Sequence, residues 1–270
     1  MPPLAAEILA GYVAGSAKTA AFYPLDTITT LRETRVSSSE RSLLQLYAGL
    51  PLTLLGALPY AMVFHTAFWL CSKLLAERVP AAMLKLLSGT CGAVAAAMVG
   101  VPFECLKHRV QLGAAGYSTP LSALASTLEN DGGVQGLYTG LRSTLARNIP
   151  YNALHFGLFE LAVEMLRVRH ATFRYSDALA GAIAGALTAL LTTPLDLVNT
   201  RLQTQTMSAS LSTAAATNFT GVTDALVTIW RDEGGPNALM RGAGVRVLQY
   251  APSALVFFSV YSFMQRRAGI

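Results

Sequence analysis

The sequence predicts an all-α membrane protein whose six transmembrane helices form three related hairpins, with short amphipathic helices between the partners. Three observations predict it. The 270 residues are 53% hydrophobic and only 13% charged, with a mean hydropathy of +0.44, against roughly 25% charged in ordinary soluble domains. Three proline-acid steps, Pro24-Leu25-Asp26, Pro102-Phe103-Glu104 and Pro194-Leu195-Asp196, each follow an apolar run. Thirteen positions before each proline stands a glycine, Gly11, Gly89 and Gly181, and nine before stand Gly15, Ala93 and Gly185. Small residues four apart let helix backbones approach closely in lipid. The prolines are 78 and 92 residues apart, too far for a small solenoid repeat, so the chain reads as three units: 1–80, 81–172 and 173–270.

The first helix is expected over about Leu4–Thr34. A polar turn, Val36-Ser37-Ser38-Ser39, and a short piece at about Glu40–Leu46 follow it. Leu46-Tyr47-Ala48-Gly49 then opens the second helix, about Pro51–Val79, with Pro59 ten residues past the glycine. The third helix, about Ala82–Leu112, holds the stretch around which the chain is organised, Pro102 to Gln111. Proline removes one intrahelical hydrogen bond, and Glu104, Lys107 and Arg109 are tolerated at membrane depth only if they face a bundle interior or a wet cavity. An amphipathic piece at Leu121–Asn130 and the step Leu137-Tyr138-Thr139-Gly140 lead to the fourth helix, about Leu141–Arg167, with Pro150. The fifth, about Tyr175–Thr206, repeats Arg201 and Gln203 at the offsets of Arg109 and Gln111. Val222–Asp232 is the next amphipathic piece, Leu239-Met240-Arg241-Gly242 the next step, and Ala243–Arg266 the sixth helix, with Pro252. A run of ~20 residues crosses a bilayer, so helices of this length tilt or protrude. Pro24, Pro102 and Pro194 are the expected helix kinks, since capping alone would not recur at fixed offsets in three apolar segments.

Twenty basic against 15 acidic residues leave a net charge of +5, and the bases lie near segment ends. They read as interfacial anchors rather than a nucleic-acid face. Cys71, Cys91 and Cys105 lack metal-ligand spacing and read as small core residues; no metal site and no cofactor is expected. No nucleophile-base constellation or phosphate loop points to an enzyme. Met1-Pro2-Pro3 precedes an apolar stretch without a basic signal region or an Arg- and Ser-rich presequence, so the expected membrane address is internal.

The threefold Pro-x-Asp/Glu with Lys107, Arg109 and Gln111 downstream, and the recurring Leu-Tyr-x-Gly step, resemble the mitochondrial carrier family over essentially the whole chain. The resemblance implies a six-helix bundle with threefold pseudosymmetry, a central substrate site and two gates alternating across the mitochondrial inner membrane, both termini facing the intermembrane space. It implies a monomer in a lipid bilayer, with cardiolipin as an accessory lipid, and a small-molecule substrate.

In that family the matrix gate joins the acid of one unit to the lysine of the next. Here Asp26 would meet Lys107, but Glu104 would face Asn199 and Asp196 would face Thr29. Two of three ion pairs then become hydrogen bonds, each worth about 1.5–3 kcal/mol to a charged group, and a weaker matrix gate is expected, with Gln111 and Gln203 beside it. At the cytoplasmic gate the aligned positions hold Phe68-Trp69, Phe159-Glu160 and Tyr261-Ser262, with Ser72, Val163 and Gln265 where bases belong. Only Glu160 is acidic, so closure there is expected through apolar packing and hydrogen bonds.

Substrate choice in the family is associated with even-helix positions that here are Gly56, Arg147 with Asn148, and Gln249 with Tyr250. Glycine opens space, a guanidinium takes a carboxylate or phosphate bidentately, and a tyrosine stacks or packs. A ligand with at least one anionic group follows, unless Arg147 instead serves as a structural partner for a backbone carbonyl or a neighbouring acid. His155, aligned with Phe64 and Phe257, breaks an aromatic triplet and is a further candidate. His108 sits inside the motif, His170 at an interface, and His65 reads as packing.

Within the family the resemblance is closest to S-adenosylmethionine carriers. It rests on Phe22-Tyr23-Pro24-Leu25-Asp26-Thr27-Ile28, the short first loop, Tyr47-Ala48-Gly49-Leu50-Pro51, Gly56, Val101-Pro102-Phe103-Glu104, Ser143-Thr144-Leu145, Arg147-Asn148-Ile149-Pro150 and Thr192-Thr193-Pro194-Leu195-Asp196. Those carriers usually have an acid where this chain has Asn148, and another where it has Thr19 beside Lys18. Import of S-adenosylmethionine against its demethylated product is therefore the first expectation. A small carboxylate carrier, favoured by Lys18, is the second, with iron carriage a variant prompted by Asn148-Ile149-Pro150 and Leu154-His155-Phe156. A non-transporting scaffold or proton leak is the third.

Overall fold

The computed structural model describes residues 4–36, 42–114, 116–169, 176–208 and 218–267. Most of the expected turn at Val36-Ser37-Ser38-Ser39 lies outside them, as does His170. The chain runs through α1 (Leu4–Glu33), α2 (Leu43–Leu46) and α3 (Leu50–Leu75), then α4 (Ala81–Leu112), α5 (Pro120–Asn130), α6 (Val134–Leu137) and α7 (Leu141–Arg169). It finishes with α8 (Ser176–Ser208), α9 (Val222–Asp232), α10 (Pro236–Leu239) and α11 (Ala243–Arg267). Two ends fall short of the sequence expectation. Helix α1 stops at Glu33 because Arg35 turns left-handed, φ 59°. Helix α3 stops at Leu75, and Pro80 caps α4 from an extended conformation, the residues ahead of a proline being biased away from helix.

The six long helices form a closed ring in the order α1, α3, α4, α7, α8, α11 and back to α1. Helices α1, α4 and α8 also touch one another directly. They do so toward their C-terminal halves, where Asp26 meets Lys107, Glu104 meets Asn199, and Thr200 meets Glu33. Pro24, Pro102 and Pro194 stand inside these three helices, and Pro59, Pro150 and Pro252 inside their partners. In α1, α4 and α8 the proline removes one i→i−4 bond just before the three helices converge.

Polarity is inverted relative to a soluble protein. Leu55, Leu74, Leu191 and Leu248 are 57–70% exposed on the outside, whereas Glu33, Arg109, Gln111, Arg201 and Gln203 are at most 1% exposed inside. Lipid takes the leucines, and the buried polar groups must satisfy one another. Among the described residues, hydropathy alone selects Leu43–Leu75, Met83–Leu112 and Leu179–Gln205 as spans. The threonines of α8 show how hydroxyls survive there. Thr188, Thr192, Thr193, Thr200 and Thr204 each donate to the carbonyl four residues earlier at 2.6–3.1 Å, so none needs water.

The three glycine steps share one conformation. Gly49, Gly140 and Gly242 each have φ 87°, left-handed geometry that a side chain disfavours, and each starts the second long helix of its hairpin. Between the partners, α5 begins with a reciprocal cap, Thr119 with Ser122, and Pro120 at its first turn. Its Ala123 packs with Tyr117 and Leu112 against Leu106 and Val110 of α4, as Ala225 and Ile229 of α9 pack against Leu197, Val198 and Leu202 of α8.

An arginine ties each of these short helices to its long one. Arg109 binds Asp131 and Thr127, and Arg201 binds Glu233 at 3.0 Å. Burial pushes the Tyr117 hydroxyl up to about 12, helped by the Asp131 carboxylate to which it donates at 2.7 Å. For Glu233 burial acts upward too, but Arg201, Arg241 and Arg35 outweigh it and hold the carboxyl below its ordinary range. In the first unit Leu31 occupies the offset of Arg109 and Arg201, and the short α2, itself capped by Ser42 and Gln45, replaces the longer helix.

Candidate substrate cavity and gate

Three acidic residues, each two positions past an inner proline, organise the closed end of the bundle. Asp26 on α1 pairs with Lys107 on α4 at 2.7 Å. Beneath that pair Gln111 donates to Asp26 at 3.0 Å, to Tyr23 at 3.2 Å and to Thr27 at 3.1 Å, a fan that two amide hydrogens share among three acceptors.

Glu104 on α4 accepts from Asn199 on α8 at 3.2 Å, and it also receives Arg147 on α7 at 2.7 Å. Asn199 accepts from Ser143 and Thr144, and Gln203 below it reaches Thr144 at 3.2 Å and His108 at 2.6 Å. His108 therefore belongs to the interior. Arg147 is held on its other edge by Asn148, whose oxygen accepts from Nε at 3.1 Å and Nη2 at 3.0 Å.

Asp196 on α8 does not meet Thr29, whose hydroxyl donates within its own helix to Leu25 at 2.9 Å. Its partner is Arg246 on α11, at 2.6 Å, with Arg147 Nε at 3.7 Å and Thr192 at 3.2 Å. Arg246 also pairs with Glu33 at 3.1 Å, and Glu33 accepts from Thr200 at 2.7 Å. The weaker end expected from Asn199 and Thr29 is thus corrected. All three acids have a basic partner, because two of the bases come from α7 and α11 instead of from α8 and α1.

Above this layer lies a cavity of about 300 Å³ between α3, α4 and α7. Its lining includes Gly56, Tyr60, Glu104, Lys107, Arg147 and Asn148. Gly56 does not open space for a ligand as expected: a Cβ there would come within 2.8 Å of the Phe103 ring. The glycine seats Phe103, and Gly100 receives Tyr60 in the same way, at 2.7 Å. Arg147 takes the role of partner to a neighbouring acid in this conformation while still lining the cavity.

Lys18 on α1, His155 on α7 and Gln249 on α11 are half-buried and do not line this cavity. The His155 ring stacks on Tyr151 at 5.8 Å, and its Nδ1 is buried without a partner among the described groups. The side chains of Tyr250 and Gln265 lie outside the described residues, as do those of Tyr261 and Ser262. At the opposite end Glu160 pairs with Lys85 of α4 at 3.4 Å, both more than half exposed, on a base that the aligned positions do not supply. Phe68, Ser72, Phe159 and Val163 are half-buried there.

Sequence reasoning missed Arg246 and Glu33. Nine residues past Pro102 and Pro194 stand Gln111 and Gln203, and nine past Pro24 stands Glu33. Four past Gly49 and Gly140 stand Thr53 and Thr144, and four past Gly242 stands Arg246. An acid and a base out of pattern, in the two positions that face each other, were the available signal.

A ring of six long helices, at least three of them long and apolar enough to cross a membrane, tied at one end by ion pairs beside a small cavity, is the architecture of a membrane transporter. The chain belongs to the mitochondrial carrier family: residues 80–170 and 171–269 match the family described as Mitochondrial carrier protein. It is 34% identical over 265 residues to S-adenosylmethionine carrier 1, chloroplastic/mitochondrial, of Arabidopsis thaliana, covering 96% of this chain and 77% of that protein. It is 30% identical to the Mitochondrial S-adenosylmethionine carrier protein of Mus musculus, covering 96% and 93%. Mitoferrin of Dictyostelium discoideum is 28% identical, with 96% and 92% covered.

Proposed function

We propose that this carrier imports S-adenosylmethionine into mitochondria in exchange for S-adenosylhomocysteine. One observation carries the reading: Arg147 lines the cavity at the level of the converging helices, held on one edge by the neutral Asn148 and on the other by Glu104, so a ligand carboxylate takes its guanidinium by displacing Glu104. The similarity to S-adenosylmethionine carriers of a plant and a mammal supports the choice of substrate. Tyr60, in the lining of the cavity, offers a face for the adenine.

Transport follows by alternating access through the three units 1–80, 81–172 and 173–270. The ion pairs Asp26–Lys107, Glu104–Arg147 and Asp196–Arg246 form the closed matrix gate, with Asn199, Thr29, Gln111 and Gln203 around them. Pro24, Pro102 and Pro194 place the bends at that level. Substrate reaches the cavity from the intermembrane space while the opposite gate, near Glu160 and Gln265, is open. The protein works as a monomer in the inner membrane, with cardiolipin at its matrix-side helices.

Uptake of labelled S-adenosylmethionine into liposomes containing the purified protein tests this. Saturable uptake that requires internal S-adenosylmethionine or S-adenosylhomocysteine, abolished by Arg147→Ala, is expected. The second reading, a small anion carrier, is favoured by Lys18 and by the unpartnered His155 nitrogen. Keto acid exchange without adenosyl uptake would replace the first reading with the second.

A further inference from the structure

The cavity holds a charge that the contact positions themselves lack. A cationic amino-acid substrate needs an acid near the arginine that takes its carboxylate, and the residue after Arg147 is Asn148. Glu104 supplies one from across the cavity. Its Oε1 is 2.7 Å from Arg147 Nη1, the two side chains are 21% and 20% exposed, and both line the same space. The cavity lining thus contains a guanidinium and a carboxylate that neutralise each other.

We propose that Arg147 and Glu104 together form a zwitterion site, in which the α-amino-acid group of the substrate replaces each member's partner. The ligand carboxylate takes Arg147 Nη1, the atom now given to Glu104, and the freed Glu104 takes the ligand ammonium. For the amino-acid group charge balance is kept, because one ion pair becomes two and neither Arg147 nor Glu104 is left unpaired in a partly buried site, where an unpaired charge is heavily penalised; the sulfonium of S-adenosylmethionine is a further positive charge outside this pair. Asn148 fits this role better than an acid. It grips Nε and Nη2 and leaves Nη1 free to exchange, without adding a further negative charge to those of Glu104 and Asp196, which lies 3.7 Å from Nε. The same swap breaks the α4–α7 ion pair, so a ligand carrying both charges loosens the closed end, whereas one carrying a single charge leaves Glu104 or Arg147 stranded. This rests on the adenosyl exchange proposed above and adds the recognition chemistry.

The test is competition and counter-exchange on the wild-type protein in liposomes, with labelled S-adenosylmethionine outside. Unlabelled S-adenosylhomocysteine, decarboxylated S-adenosylmethionine and methylthioadenosine serve as the competitors. The expected result is competition by S-adenosylhomocysteine alone, with each of the other two weaker by at least about tenfold, since a site built to pair a polar group discriminates strongly against its loss. Glu104→Gln should raise KM for S-adenosylmethionine while keeping the preference for a carboxylate; Arg147→Lys should lose the preference between S-adenosylmethionine and its decarboxylated form. Should decarboxylated S-adenosylmethionine compete and exchange as well as the parent in the wild type, the zwitterion site is overturned while adenosyl carriage stands. Absence of all adenosyl uptake alongside keto acid exchange would overturn both.

Discussion

Gly56 shows how a single residue changes its meaning once its neighbours are known. At a substrate-contact position a glycine suggests room, yet the Phe103 ring fills that room, 2.8 Å from where a Cβ would stand. Gly56→Ala should lower thermal stability by about 1–3 kcal/mol through overpacking. In detergent the loss is read by the temperature at which the buried thiol of Cys105 becomes reactive. Adding Phe103→Leu should recover part of it, because residues in contact are non-additive. Equal losses from the single and double variants would show that Phe103 is not the obstacle. Arg147 makes the same point for charge: its position marked it as a ligand group, and only its 2.7 Å contact showed that an acid of the motif already holds it.

At the scale of elements, the hairpins depend on the left-handed glycine before each second helix. Gly140 and Gly132 have nearly the same torsion, φ 87° and 88°, so alanine pays similar backbone strain, about 1–3 kcal/mol, at both. Their surroundings differ. A Cβ on Gly140 would be 2.5 Å from Gln203 Cγ, and one on Gly132 meets nothing within 4 Å. Gly140→Ala should therefore destabilise clearly more than Gly132→Ala, and matching melting curves would refute the steric account.

The link between α8 and α9 depends on pH through Glu233. Glu233, held low by Arg201, Arg241 and Arg35, contributes stability that is complete above its unfolded value of about 4.3 and is lost as pH falls through the lower folded value. The melting difference between wild type and Glu233→Gln should stay constant from about pH 7 to 5 and shrink below about pH 4. A difference that widens on acidification would reverse the sign.

For the whole molecule, closure at one end depends on bases that cross between repeats. Arg246→Thr leaves Asp196 and Glu33 without that partner in a buried layer and should destabilise by about 3–5 kcal/mol. Adding Thr29→Lys and Glu33→Gln rebuilds the pattern of the second unit, with Lys107, Gln111 and Thr144 as its template. The triple variant should regain most of the lost stability. If it melts no higher than Arg246→Thr, then Arg246 does not stand in for the missing lysine.

The sequence by itself determined the class of fold, because its cause is local and repeated. Apolar runs long enough to span lipid, small residues four apart, and an inner proline followed by an acid all recur at fixed offsets around Pro24, Pro102 and Pro194. Any solution that buries Arg109 and Arg201 while giving Leu55 and Leu191 to lipid must be a polar-centred bundle. The helix ranges followed from the same periodicity, save where Arg35 and Pro80 end a helix by backbone geometry. Tertiary structure decided which charges meet. The repeat aligned each acid with a position on the next first helix and so pointed Asp196 at Thr29. Arg246 reaches Asp196 from α11 because a long flexible side chain on a neighbouring helix covers a distance that sequence offsets do not measure. For the same reason Glu104 and Arg147, 43 positions apart, meet in the lining of one cavity only when α4 and α7 pack side by side in the ring.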